Sequence, residues 1–269
     1  MNIVVCIKQV PDVPTIRIDR QRMTIIREEV DSMINPLDSV ALEAAMGLRE
    51  WNDGLVTAIT MGPPQSEAVL REALALGADR AVLLTDPAFA GADTLATCHV
   101  LATAIASLGH FPDLVLCGMQ TIDSDTGHVG PQISEELNIP LVTRVSEIHV
   151  ETDALVVKRF GDGFLDTLRV GFPVLLTVTP ELCPVRDIPF STLEAAFSEK
   201  SITRWGMKDL QMKPEEVGLL GSATKVWRLR PPPPRREGQI VTGSPNFLVE
   251  TLIKKLAAIN IIDEENGNG

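Results

Sequence analysis

Tyrosine is absent from this 269-residue sequence, and eight phenylalanines with three tryptophans bring the aromatics to only 4%. Positive charge is also short, since 24 lysines and arginines face 36 aspartates and glutamates for a formal net charge of −12. A nucleic-acid surface needs a basic stripe to track phosphates and aromatic faces to stack bases. This composition therefore argues against nucleic acid as a partner. The four cysteines, Cys6, Cys98, Cys117 and Cys183, form no CxxC pair, which removes zinc-ribbon and thioredoxin-like readings and leaves buried free thiols in a reducing compartment as the expectation. No stretch approaches the ~20 apolar residues of a membrane helix. Residues 1–10 hold a short apolar run broken by Lys8, too brief for a signal peptide, so a soluble, cytoplasmic chain is expected.

What is present is length and alternation. At roughly 150 residues per domain the chain has material for about 1.8 domains. Through the first two thirds, apolar β-rich runs alternate with helix-period segments, the pattern of a parallel sheet covered on both faces. Residues 3–7 read as a first buried strand, and residues 16–19 and 23–27 as a hairpin excursion. Asn35-Pro36 then opens a helix, residues 55–60 form a strand, and a helix stopped by Gly77 leads to a strand at 81–84. A further helix runs from about Thr94 to Leu108 with Asp93 as its cap, followed by a strand at 113–117. From residue 142 the texture changes to four strands without long helices, read as a meander finishing the sheet. We expect a doubly wound, mostly parallel α/β domain over residues 1–183. Residues 184–269 read as an arm that carries a polyproline spacer at 231–234 and an amphipathic terminal helix at 244–262.

Ligands of such sheets bind at the carboxyl ends of the strands, near a topological switch point. The richest of these ends is Gly118-Met119-Gln120-Thr121-Ile122-Asp123-Ser124-Asp125-Thr126-Gly127-His128-Val129-Gly130-Pro131. It leaves a strand and enters a helix through two glycines and exposed amides, which suits a phosphate at a helix N-terminus. It also suits a plain connection that caps its helix through Asp123 or Asp125. There is no Gly-Lys-Ser/Thr and no GxGxxG after the first strand. No HExxH, no GxSxG and no metal-spaced histidines occur either. A bound cofactor is thus expected to carry the chemistry while the protein supplies position and electrostatics.

Four segments in order, Asn35-Pro36, Thr60-Met61-Gly62-Pro63-Pro64, Gly77-Ala78-Asp79-Arg80 and residues 123–131, resemble the electron transfer flavoprotein β subunit. The resemblance covers nearly the whole chain. It implies a flavodoxin- or Rossmann-like fold that binds adenine nucleotides, and an arm that wraps a larger α subunit. Its nucleotide contacts carry over to Cys6, Asn35, Asp38, Met61, Gly118, Met119, Gln120, Thr121, Asp123, Asp125, Thr126, Gly127, His128, Val129 and Gly130. Members hold either AMP or, in the electron-bifurcating branch, FAD. The Val129-Gly130-Pro131 ending and residues 89–97 look like the bifurcating branch, which adds Asp93, Thr94 and Thr97 as flavin contacts; an N-cap with two helix-surface threonines is the other reading. Met119 stands where a basic residue is frequent, which puts a phosphate or ring contact in doubt. Leu193 matches the leucine that anchors the family's recognition loop to acyl-CoA dehydrogenases, or is ordinary helix packing.

The resemblance thus implies FAD fed by NADH, with an acyl-CoA dehydrogenase or other flavin dehydrogenase and ferredoxin as electron partners. The family alternative is a non-bifurcating carrier with structural AMP between an acyl-CoA dehydrogenase and a quinone reductase. An ATP- or AMP-binding regulatory module is the rival outside it.

Overall fold

The computed structural model describes residues 1–12, 18–19, 24–25, 32–51, 54–198, 201–227 and 238–262. The chain opens with β1 (Asn2–Cys6), β2 (Gln9–Pro11), a short β3 (Ile18–Asp19) and β4 (Thr24–Ile25), and β5 (Ser32–Ile34). Winding proper follows: α1 (Pro36–Trp51), β6 (Leu55–Met61), α2 (Glu67–Leu76), β7 (Arg80–Leu84), α3 (Thr94–Ala106), β8 (Leu114–Gly118) and α4 (Val129–Glu136). Then come β9 (Leu141–Val150), β10 (Ala154–Phe160), β11 (Leu165–Gly171), β12 (Val174–Val178), α5 (Phe190–Ser198), β13 (Thr203–Trp205), α6 (Gly218–Gly221) and α7 (Pro245–Ala258).

Among the described residues the main sheet has nine strands in the order β11-β10-β9-β12-β8-β1-β6-β7-β13. All neighbours from β9 to β13 pair parallel, and β10 runs antiparallel to both its neighbours. The continuous apolar reading of β1 follows from burial on two faces. Ile3, Val5 and Ile7 pack with α1 and α2, while Val4 and Cys6 pack with α3 and α4. The fold is therefore the expected doubly wound, mostly parallel α/β sheet. The hairpin excursion is present as β3 paired with β4.

Two expectations need revision. The last four strands are not one meander: β9, β10 and β11 are, but β12 returns to lie between β8 and β9, parallel to both. Burial explains this, since every residue of β12 is buried whereas β11 is exposed along almost its whole length. A nearly all-apolar strand (Val-Leu-Leu-Thr-Val) belongs inside a sheet and one carrying charged residues at its edge. The second concerns the arm. The chain divides into two units, Met1–Trp227 and Arg228–Gly269, so residues 184–227 belong with the sheet. Ala196 of α5 is buried, β13 extends the sheet beyond β7, and Leu210, Met212 and Val217 enter the core. These are isolated apolar points between prolines, with no period to reveal them.

The second unit is described by α7. Ser244 caps it, its side chain accepting from the Phe247 amide, Pro245 takes the first position and Lys255 stands in the last turn. It buries none of its residues. The polyproline stretch lies outside the described residues. No helix of the described residues is long and apolar enough to cross a membrane.

Candidate nucleotide site

From β1 the chain winds outward through β6 and β7, then crosses back to place β8 on the other side of β1. Connections leave β1 and β8 in opposite directions, so a crevice opens at their carboxyl ends. Asp38, in the first turn of α1, fills its floor. One carboxylate oxygen accepts the Lys8 amide at the end of β1 (2.9 Å) and the other the Gly118 amide at the end of β8 (3.0 Å). Burial pushes this carboxyl up to about 7, against hydrogen bonds from Asn35, Lys8 and Gly118 and the charge of Lys8. Only glycine fits at 118, because a Cβ there would lie 2.5 Å from Asp38 Oδ1 and 2.8 Å from the Leu37 carbonyl carbon.

Asn35 is wholly buried and ties three pieces together. Its amide donates to the Lys8 carbonyl (2.9 Å), its Nδ2 donates to the Gln120 carbonyl (3.0 Å), and its Oδ1 accepts from the Ile122 amide (3.2 Å). Pro36 follows it at the first helical position, where a missing N–H removes no helical bond. The Lys8 ammonium then reaches over the loop to both oxygens of Asp123, at 2.8 and 2.7 Å. Partial burial works against the Asp123 charge, but Lys8, Thr121 and Ser124 hold its carboxyl below the usual range.

The loop turns inward through left-handed residues at Asp125 (φ 54°) and Gly127 (φ 64°). Neither Asp123 nor Asp125 caps α4; the residue before the helix is His128, and no side chain caps that end. This removes the plain capping reading and leaves first-turn amides open to an anion. Gly130 presses the helix start onto the sheet, since a Cβ there would lie 2.7 Å from Thr177 Cγ2.

Beside the loop is a cleft of about 400 Å³ lined by Met119, Gln120, Gly127, Thr143, Arg144 and Thr177. Thr143, Arg144 and Thr177 are absent from the sequence reading. Arg144 holds a left-handed backbone (φ 59°), its amide donating to Thr177 Oγ1 (3.1 Å) where the β9–β12 register shifts. Such irregularities re-aim a side chain. Here the irregularity falls at Arg144, which lines the cleft together with Met119.

Of the remaining carry-over residues, Cys6 ends β1 in register with Cys117, and Met61 ends β6 half-buried against the same core. Thr126 and His128 are exposed on the loop and Val129 is half-buried. Asp93, Thr94 and Thr97 lie at the start of α3, which follows β7. Asp93 caps α3 through Ala96 (3.0 Å), and its other oxygen accepts from the Thr224 amide (2.8 Å) and hydroxyl (2.9 Å). Its own amide donates to Ser222 (2.8 Å). Among the described residues no hydrogen bond joins this group to the 118–131 loop. Leu193 packs against the core on the α1 and α2 face.

Residues 22–205 match the Electron transfer flavoprotein domain family. Three relatives are similar along most of their length. The chain is 46% identical to the electron transfer flavoprotein subunit beta of Thermoanaerobacterium thermosaccharolyticum, over 97% of this chain and all of that one. It is 43% identical to the caffeyl-CoA reductase-Etf complex subunit CarD of Acetobacterium woodii, over 97% and 100%. It is also 43% identical to protein FixA of Azorhizobium caulinodans, over 88% and 86%. With a family match over more than half its length and relatives at this identity, the chain belongs to the electron transfer flavoprotein family, among its β subunits.

Proposed function

We propose that this chain is the β subunit of an electron-bifurcating flavoprotein, paired with an α subunit and holding FAD in the crevice between β1 and β8. The observation that carries this reading is the uncapped start of α4 beside a cleft walled by Arg144. It offers backbone amides and one cation, the groups a diphosphate needs. Gly127 fits the same purpose, because its φ of 64° favours glycine and a Cβ there would crowd the Met119 carbonyl at 3.2 Å.

In this reading bound FAD supplies the redox chemistry, taking hydride from NADH and dividing the electrons between the α-subunit FAD, leading to a flavin dehydrogenase, and ferredoxin. The protein's own residues bind and orient. Asn35 and Lys8 hold the loop, Asp38 holds the strand ends, and Arg144 balances phosphate charge in place of the basic residue missing at 119. Leu193 remains the proposed anchor for an acyl-CoA dehydrogenase.

A second reading, AMP as a structural ligand, is favoured by Asp93, whose oxygens are engaged by Ala96 and Thr224 rather than turned to a flavin. Acid release of the cofactors from the purified αβ pair, followed by chromatography, separates the two. Two FAD per heterodimer, reducible by NADH, is the expected result. One FAD with one AMP overturns bifurcation and selects the second reading.

A further inference from the structure

The two halves of the loop between β8 and α4 are held in different ways. From Gly118 to Ile122 the partners are buried: the Gly118 amide donates to Asp38, the Met119 amide to the Val178 carbonyl (3.0 Å), and Gln120 and Ile122 bond to Asn35. Beyond Ile122 one tie to the rest of the protein remains among the described residues, the Lys8 ammonium on both oxygens of Asp123. It stands in water, with the Lys8 side chain 42% exposed. The other hydrogen bonds of residues 123–127 stay within the loop: the Asp125 amide donates to the Thr121 carbonyl (2.9 Å), and the Ser124 hydroxyl bonds to the Thr121 hydroxyl (2.9 Å) and to Asp123 (3.3 Å).

This outer half needs a hold from outside. Asp125 keeps a left-handed backbone (φ 54°) two residues before Gly127 (φ 64°), a conformation unfavourable for a residue with a Cβ. Lys8 is well placed to supply the hold, because its own backbone is pinned: its amide donates to Asp38 (2.9 Å) and its carbonyl accepts from Asn35 (2.9 Å). Only its side chain spans the gap. We propose that Lys8 is a positioning residue that acts through Asp123, holding residues 123–127 in the shape that binds phosphate and so setting how long the nucleotide stays. The proposal rests on the reading that the 118–131 loop holds a nucleotide phosphate. A lysine beside an anion site is ordinarily the anion's partner, but here its charge is met by a carboxylate. The pair is neutral as a whole, and phosphate is left to the loop amides and Arg144.

Release of FAD from the loaded αβ complex, followed by the fluorescence gained on dilution, tests this; the α-subunit FAD gives a phase common to all variants. Lys8→Met should release the β-site FAD about threefold to fivefold faster than wild type, the range that a partly exposed ion pair supports. Lys8→Arg keeps the charge and the reach and restores the wild-type rate. Asp123→Asn speeds release at least as much as Lys8→Met, and in that background Lys8→Met adds nothing. Were Lys8 to hold the phosphate itself, Asp123→Asn would free the ammonium and slow release while Lys8→Met speeds it, and that opposition overturns the proposal. A Lys8→Met effect that survives in Asp123→Asn overturns it too, as does a Lys8→Met rate equal to wild type. Where acid release finds AMP in this site, the same variants are compared by AMP release, so that the FAD reading fails while the role of Lys8 is still decided. A β site that holds neither nucleotide overturns both.

Discussion

Asp38 and Asp123 are both tied to Lys8, yet their titrations move in opposite directions. Burial raises Asp38 to about 7, so the folded chain holds this proton more tightly than the unfolded chain does. Its effect on stability is therefore unfavourable, growing as pH rises from about 4 to 7 and constant above that. Asp123 is lowered, so its contribution is present above the ordinary carboxylate range and is lost as pH falls through its folded value. Asp38→Asn should consequently gain stability relative to wild type by about 2 kcal/mol on going from pH 5 to pH 8. Urea unfolding at the two pH values measures this, and a difference that does not change with pH would refute it. Residues of this kind are only half legible in a sequence. Asp38 and Asp123 stand out beside Pro36 and Gly127, but Lys8 acquires its role from a partner 115 residues away. Arg144 acquires its role from a register shift, and strand alternation says nothing about either.

At the scale of elements, the start of α4 depends on one missing methyl. With Gly130 against Thr177 Cγ2, alanine at 130 forces the helix off β12 or the threonine off its rotamer. Such overpacking costs about 1–3 kcal/mol. Thr177→Ser deletes the opposing Cγ2 and keeps the hydroxyl that Arg144 uses. The Gly130→Ala/Thr177→Ser pair should therefore recover at least about 0.5 kcal/mol over additivity in a double-mutant cycle read by chemical denaturation. Strictly additive losses would mean that the contact does not limit the helix. Most elements here are visible in the sequence because each has a strong local signal: Asn35-Pro36 starts α1, Gly77 (φ 122°) stops α2, and Asp93 caps α3. Topology is where the reading stops. Nothing local distinguishes β12 as an insertion between β8 and β9 except its nearly unbroken apolar sequence; the helical piece read at 191–200 is α5, whereas β13 is too short to show a period.

On the scale of the whole chain, the buried hydrophobic residues run from Ile3 to Val217, whereas α7 buries none of its own. Exposed Phe247, Leu252 and Ile253 give α7 an apolar face suited to a partner subunit. A chain ending at Trp227 should keep its cooperative unfolding transition within a few degrees of full length yet no longer co-purify with the α subunit. Loss of the transition itself would show that the second unit stabilises the first. The doubly wound core and the terminal helix were both legible, and the boundary between them was displaced from 183 to 227 because the intervening packing is built from single residues. The crossing-back of the chain at β1 also bears on synthesis. Asp38 and the last cleft residue, Thr177, are about 140 residues apart, so at roughly 5–20 residues per second the floor of the crevice waits about 7–28 s on the ribosome for its far wall. Until β8 emerges, 80 residues after Asp38, β1 can pair with β6 but its other edge stays open, an invitation to wrong strand pairing. Cofactor loading therefore comes late, and the nascent first half of the chain is the stage at which a holding chaperone has most to offer.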